Sequence, residues 1–122
     1  MFINPITAIK DGWMTGVLEE HVEPNAVDIR LEKIWKVDGH HEVWNLEKGI
    51  YDFMSPAYVE MPESTVGWLV TRSTLNRNGV FVLSGLYDSG YKGHINGMLY
   101  NRGGPMVMEK MSRVAQFIVG SS

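Results

Sequence analysis

The sequence predicts an all-β fold, a barrel or a sandwich, behind a short N-terminal helix. Two observations carry that reading. From Asn25 onward, short apolar or alternating runs recur at similar spacing. Glycines and prolines, 13 and 5 in number, fall between those runs as turn punctuation. No internal repeat, low-complexity stretch or Pro/Ser-rich linker divides the 122 residues, so a single domain spanning 1–122 is expected.

The elements follow in order. In "NPITAIKDGWM", Asn4 is the expected N-cap and Pro5 suits the first helical position. Ile6, Ile9 and Trp13 recur at helical spacing, and Gly12 predicts an early end. "AVDIRLEKIWKV" places Val27, Ile29 and Leu31 on one strand face, with Asp28 and Arg30 on the other. "DGHHE" reads as a turn, and "HEVWNL" and "GIYDFMSPAYVEMP" as strands, the second broken at Ser55-Pro56. "VGWLVTR" is a strand running into "STLNRNG", a single helical turn capped by Ser73 and stopped by Gly79. "VFVLSGLYDSGYKGHINGMLYN" gives strands broken at Ser84-Gly85 and Ser89-Gly90, and "RVAQFIV" is the last strand.

Composition excludes several function classes. The net charge of -3 leaves no excess of cations for a nucleic-acid backbone, although a small phosphorylated ligand needs only a few local donors. The absence of cysteine rules out disulfides, thiolate metal sites and cysteine nucleophiles. No apolar run approaches the ~20 residues of a membrane span. The start "MFINPITAIKDGWMTG" lacks the pattern of a secretion signal, so a soluble, cytoplasmic protein (host cytoplasm if viral) is expected.

Candidate site residues compete with plainer readings. Asp88, before a Ser-Gly turn, is either a turn residue bonding nearby backbone or a general base. Arg72 and Ser73 are either a strand end and a cap or an anion clamp. His40 and His41, beside Glu42, would point to opposite faces of a strand and are expected in a solvated turn rather than on one metal ion. Met106, Met108 and Met111 read as gap-filling apolar residues, and Trp13, Trp35, Trp44 and Trp68 as core or interface. "GLYDSGYKG" holds three glycines without the spacing of a dinucleotide loop or a P-loop.

The order of the segments says more than any one of them. "PNAVDIRL", "VGWLVTRSTLNRNG", "GLYDSGYKGHINGMLYN" and "SRVAQFIV" together resemble the superfamily of dUTPases and dCTP deaminases over most of the chain. The resemblance implies a distorted antiparallel β-barrel or jelly roll, assembled as a homotrimer with active sites between subunits. It implies a magnesium-dependent reaction on a deoxynucleoside triphosphate. By the same resemblance, Asp28 lies near the magnesium-triphosphate, contacting the metal through water, and Arg72 and Ser73 begin a phosphate-binding motif. Asp88 activates or positions the attacking water, Tyr91 packs under the deoxyribose, and Gln116 contacts phosphate.

Within the superfamily, "VEPNAVDIRL" and "VGWLVTRSTLNRNG" look like the deaminase branch, and "GLYDSGYKG" like the dUTPase branch. The deaminases use a glutamate where this sequence has Met98, and a thioether cannot shuttle protons. The expected reaction is therefore dUTP plus water to dUMP and pyrophosphate. The run from Gly79 to Asp88 is about two residues shorter than in typical members, and a base site lacking matching hydrogen-bond donors discriminates poorly. A glycine-rich fifth motif has no counterpart after "FIVGSS", so weaker water exclusion and a low rate are expected. The alternative is a non-catalytic nucleotide-binding or structural trimer of the same fold.

Overall fold

The computed structural model describes residues 1–35 and 42–122. Eleven strands build it: β1 (Phe2–Ile3), β2 (Met14–Thr15), β3 (Val27–Arg30), β4 (Lys33–Ile34), β5 (Val43–Leu46), β6 (Gly49–Glu60), β7 (Thr65–Thr71), β8 (Val80–Leu83), β9 (Lys92–Asn101), β10 (Met106–Glu109) and β11 (Arg113–Ser121). Two short helices, α1 (Pro5–Lys10) and α2 (Ser73–Arg77), and one 3₁₀ turn (Glu19–His21) complete the described chain. All pairing among these strands is antiparallel.

Strand β11 is the spine of one sheet. Strand β7 pairs along one side of it, and β3 and β1 share the other. Strand β6 is the spine of the second, with β9 then β8 on one side and β2 and β4 on the other. Strands β5 and β10 form a separate ribbon. A two-residue bridge joins the main sheets: Gly67 donates to the carbonyl of Tyr87 at 3.0 Å, and Tyr87 donates back at 2.8 Å.

The core lies between the sheets. Val27, Ile29 and Leu31 are fully buried on the inner face of the β3 segment, as their alternation predicts. Phe117 and Val119 of β11, Phe53 and Val59 of β6, and Ile95 and Leu99 of β9 meet them. Gly67 makes room for this packing, since a Cβ there would lie 2.3 Å from Phe117 Cζ. Phe117 in turn takes Tyr87 edge-on, with ring centroids 5.3 Å apart.

Several expectations hold in detail. Asn4 caps α1 by accepting from the Ile6 amide at 3.0 Å, and Gly12 takes a left-handed φ just past the helix. Helix α1 is shorter than its apolar spacing suggested. It buries Pro5 and Ala8 most deeply, and Trp13 lies beyond its end.

Others are corrected. Ser73 is the first residue of α2, not its cap; Arg72 holds the cap position without a side-chain capping bond. Ser55-Pro56 does not break β6. The register slips between Met54 and Tyr58, and a bulge tolerates the missing proline amide. "AVDIRLEKIWKV" splits instead, β3 pairing in one sheet and β4 in the other. Met108 is buried, but Met111 sits exposed in a turn with φ 66. Trp44 is core, whereas Trp35 is exposed. His40 and His41 lie outside the described residues.

Candidate active site

The outer face of the first sheet gathers one group of the expected residues. Asp28 of β3 and Gln116 of β11 are directly paired, and Gln116 is also paired to Val70 of β7. Directly opposed residues share a face. Arg72, two positions beyond Val70, continues the ladder by donating its amide to the Val114 carbonyl at 3.2 Å. That spacing makes Arg72 a diagonal neighbour of Gln116, about 7–8 Å away by ladder geometry. Ser73 follows at the exposed start of α2.

Asp28 is not an open ligand. It is 8% exposed, and its Oδ2 accepts from Arg113 Nη1 at 3.0 Å. Its other oxygen has no hydrogen bond among the described residues. Sequence reasoning missed Arg113, which lies in the same "SRVAQ" run as Gln116. No group of three or more His, Asp or Glu side chains suited to a metal occurs among the described residues. Magnesium keeps several waters and binds through one or two carboxylates plus substrate phosphates. One carboxylate with an oxygen left free by Arg113 is a donor set compatible with a magnesium ion that arrives with substrate phosphates.

The second group sits on the turn after the Gly67–Tyr87 bridge. Tyr91 donates its amide to the Asp88 carbonyl at 3.0 Å and closes the turn. Ser89 Oγ accepts from the Thr65 amide at 3.2 Å and donates to the Thr65 carbonyl at 2.7 Å. Gly90 donates to Met61 and Tyr91 accepts from it, both at 2.8 Å. Serine and backbone thus pin the turn, while the exposed Asp88 carboxylate makes no hydrogen bond among the described residues. The plain reading of Asp88 as a residue bonding its own turn does not describe this geometry.

Tyr91 folds back over Gly93, donating its hydroxyl to the His94 carbonyl at 2.9 Å, and meets Tyr87 edge-on at 5.1 Å. Tyr87 donates to the Asn96 carbonyl at 2.6 Å and accepts from the Asn96 amide at 3.1 Å. Burial pushes the Tyr87 hydroxyl above the usual phenol range, the Asn96 bond works against it, and Tyr91 adds to it.

An open cleft of about 600 Å³ runs from Tyr91 and Tyr87, which flank the Asp88 turn, past the 83–86 segment to Met98, Asn96, Asp52 and Trp35. Met98 lies within it, half-exposed. Sequence reasoning missed Asp52, because a charge alternating with apolar residues on a strand reads as a solvated face, and it read Trp35 as core or interface rather than as a cleft residue.

The structure does not unite the two groups. Arg72 lies five positions along β7 from Gly67, about 16 Å at strand rise. Asp88 and Tyr91 stand at the Gly67 end; Arg72, Ser73, Asp28 and Gln116 at the other.

A family model described as dCTP deaminase-like matches residues 49–121. The deoxyuridine 5'-triphosphate nucleotidohydrolase of Methanocaldococcus jannaschii is 28% identical to this chain, over 82% of it and 78% of the relative. A probable deoxyuridine 5'-triphosphate nucleotidohydrolase of Methanosarcina barkeri is 26% identical, over 83% and 72%. In fold, the chain is similar to the 2'-deoxycytidine 5'-triphosphate deaminase of Agrobacterium tumefaciens, with TM-score 0.84, 15% identity and 99% of this chain covered. This chain spans 48% of that deaminase. The dUTPase of Staphylococcus bacteriophage 80alpha, solved with dUPNHPP, gives TM-score 0.68 at 17% identity, over 89% of this chain and 81% of that one.

Proposed function

Since the chain belongs to the dCTP deaminase-like family, we propose that it is a magnesium-dependent deoxynucleoside triphosphate pyrophosphohydrolase. Its favoured substrate is dUTP, cleaved with water to dUMP and pyrophosphate. The observation that carries this reading is the Asp88 carboxylate, exposed and free of hydrogen bonds among the described residues, on the turn between Tyr87 and Tyr91, which both line the cleft. Met98 supports hydrolysis over deamination, because the cleft has a thioether where the resembling deaminases need a proton carrier.

Asp88 acts as the general base. It takes a proton from a water whose oxygen attacks the α-phosphorus, the α–β anhydride bond breaks, and pyrophosphate leaves with that electron pair. Tyr91 packs under the deoxyribose. Arg72, Ser73 and Gln116 donate to the triphosphate, where fixed donors stabilise charge developing in the transition state. Asp28 would hold magnesium through water, and the bound ion would supply neutralisation of the triphosphate charge.

The distance between the two groups along β7 supports a site to which different chains contribute. A homotrimer, each chain a single domain over 1–122, brings the Asp88 end of one chain to the Arg72 end of the next. A deoxynucleotide substrate fits a cytoplasmic protein, and none of the described helices is long and apolar enough to cross a membrane.

The test is pyrophosphate release with magnesium and dUTP, dCTP, dTTP or UTP offered separately. Release from deoxynucleotides but not UTP supports the hydrolase with Tyr91 as sugar gate. Binding of a non-hydrolysable dUTP analogue without turnover of any nucleotide replaces it with the non-catalytic trimer.

A further inference from the structure

Beyond Tyr91, the cleft floor is the outer face of β6, β9 and β8. Asp52 of β6 is directly paired to Met98 of β9, and Met98 to Leu83 of β8. The adjoining row pairs Met54 with Asn96. Residues paired in this way share a face, so the Asp52 carboxylate stands in a row with a thioether and a leucine. Among the described residues lining the cleft it is the only charged side chain. Among the described residues no cation stands within ion-pair distance of it. Lys33 instead lays its ammonium 5.0 Å over the Trp35 ring at the cleft edge.

An apolar cleft with one unpaired charge is the usual form of a site in which a few polar groups set specificity. Tyr91 marks the sugar end of this cleft on the reading above, which leaves the row of Asp52, Met98 and Leu83 for the base. An ionised carboxylate accepts hydrogen bonds and donates none. Uracil offers it a single N–H between two carbonyls, whose oxygens the carboxylate repels. Cytosine, with the same ring size, offers an exocyclic amino group. Met98 cannot serve that amino group comparably, because a thioether is a weak acceptor.

We infer that Asp52 determines base specificity, accepting a hydrogen bond from an exocyclic amino group, so that the cleft takes cytosine alongside uracil. The inference rests on the cleft being the base site of the proposed hydrolase. Asp52 is a recognition residue in this scheme and takes no part in bond cleavage.

The experiment compares kcat/KM for pyrophosphate release from dCTP and dUTP in the intact chain and in Asp52→Leu and Asp52→Asn. Circular dichroism checks that each variant is folded. The dCTP-to-dUTP ratio is expected to fall tenfold or more in Asp52→Leu, and by less in Asp52→Asn, whose amide still accepts. An unchanged ratio in both variants overturns the inference while leaving the hydrolase intact. If the intact chain hydrolyses neither nucleotide, the hydrolytic reading fails by itself. The same ratio is then read as calorimetric Kd values for the α,β-imido analogues of dCTP and dUTP. A fall in Asp52→Leu upholds Asp52; equal ratios, or no binding of either analogue, overturn it.

Discussion

Arg113 Nη1 lies 3.0 Å from Asp28 Oδ2, across the β3–β11 pair where the register slips between Arg113 and Ala115. The bond fixes the carboxylate and leaves its other oxygen free. Arg113→Met leaves a nearly buried carboxylate without its cation. Because Arg113 is itself 41% exposed, the expected cost is about 1–2 kcal/mol, between surface and buried pairs. Urea unfolding measures it. Asp28→Asn keeps an acceptor for Arg113 and should cost less stability, yet raise the magnesium concentration needed for half-maximal turnover. A magnesium dependence unaltered in Asp28→Asn removes Asp28 from metal binding.

Asp88→Asn tests the base. Its side chain makes no hydrogen bond among the described residues, so the variant should unfold within a degree or two of the parent. Turnover of dUTP should fall by about 10²–10⁴, the range that general-base catalysis supplies. A variant that keeps its rate would return Asp88 to the ordinary role of a turn residue.

The inner face of the fold was legible in the sequence because burial writes a period into it. Val27, Ile29 and Leu31 alternate, and all three are fully buried. The break at Ser84-Gly85 was equally plain. Ser55-Pro56 misled because a proline shows its missing amide but not whether a bulge already excuses it. Ser73 misled because a hydroxyl at the cap and one a position later look alike until φ and ψ are known. Among site residues, Arg113 and Asp52 were hidden for a common reason. What each faces is set by cross-strand register, with Asp28 lying 85 positions from Arg113 along the chain. Ladder partners of that kind leave no local pattern.

The separation of Asp88 from Arg72 yields a complementation prediction. If each site takes Asp88 from one chain and Arg72 from another, Asp88→Asn and Arg72→Ala are each inactive alone. Mixed by co-refolding in equal amounts, they form some sites with both residues intact. Random assembly makes that fraction about one quarter, so about a quarter of parental activity should return. Mixed samples as inactive as the separate variants would mean that one chain supplies both residues.

Tyr87 offers a pH test that does not depend on substrate. Burial, with Tyr91 adding to it, raises its folded-state pKa, while the unfolded tyrosine titrates near 10. The folded chain therefore holds this proton more tightly than the unfolded chain. The associated stability is fully present below pH about 10 and is lost as pH rises through the raised folded pKa. Tyr87→Phe removes both the proton and the hydrogen bonds to Asn96, at 2.6 and 3.1 Å, and should cost about 1–2 kcal/mol at neutral pH. Above pH 10 the gap between parent and variant should narrow, because only the parent loses this contribution. Urea unfolding of both proteins from pH 7 to 11 measures the gap. A constant gap across that range would mean that the Tyr87 hydroxyl is held no more tightly folded than unfolded.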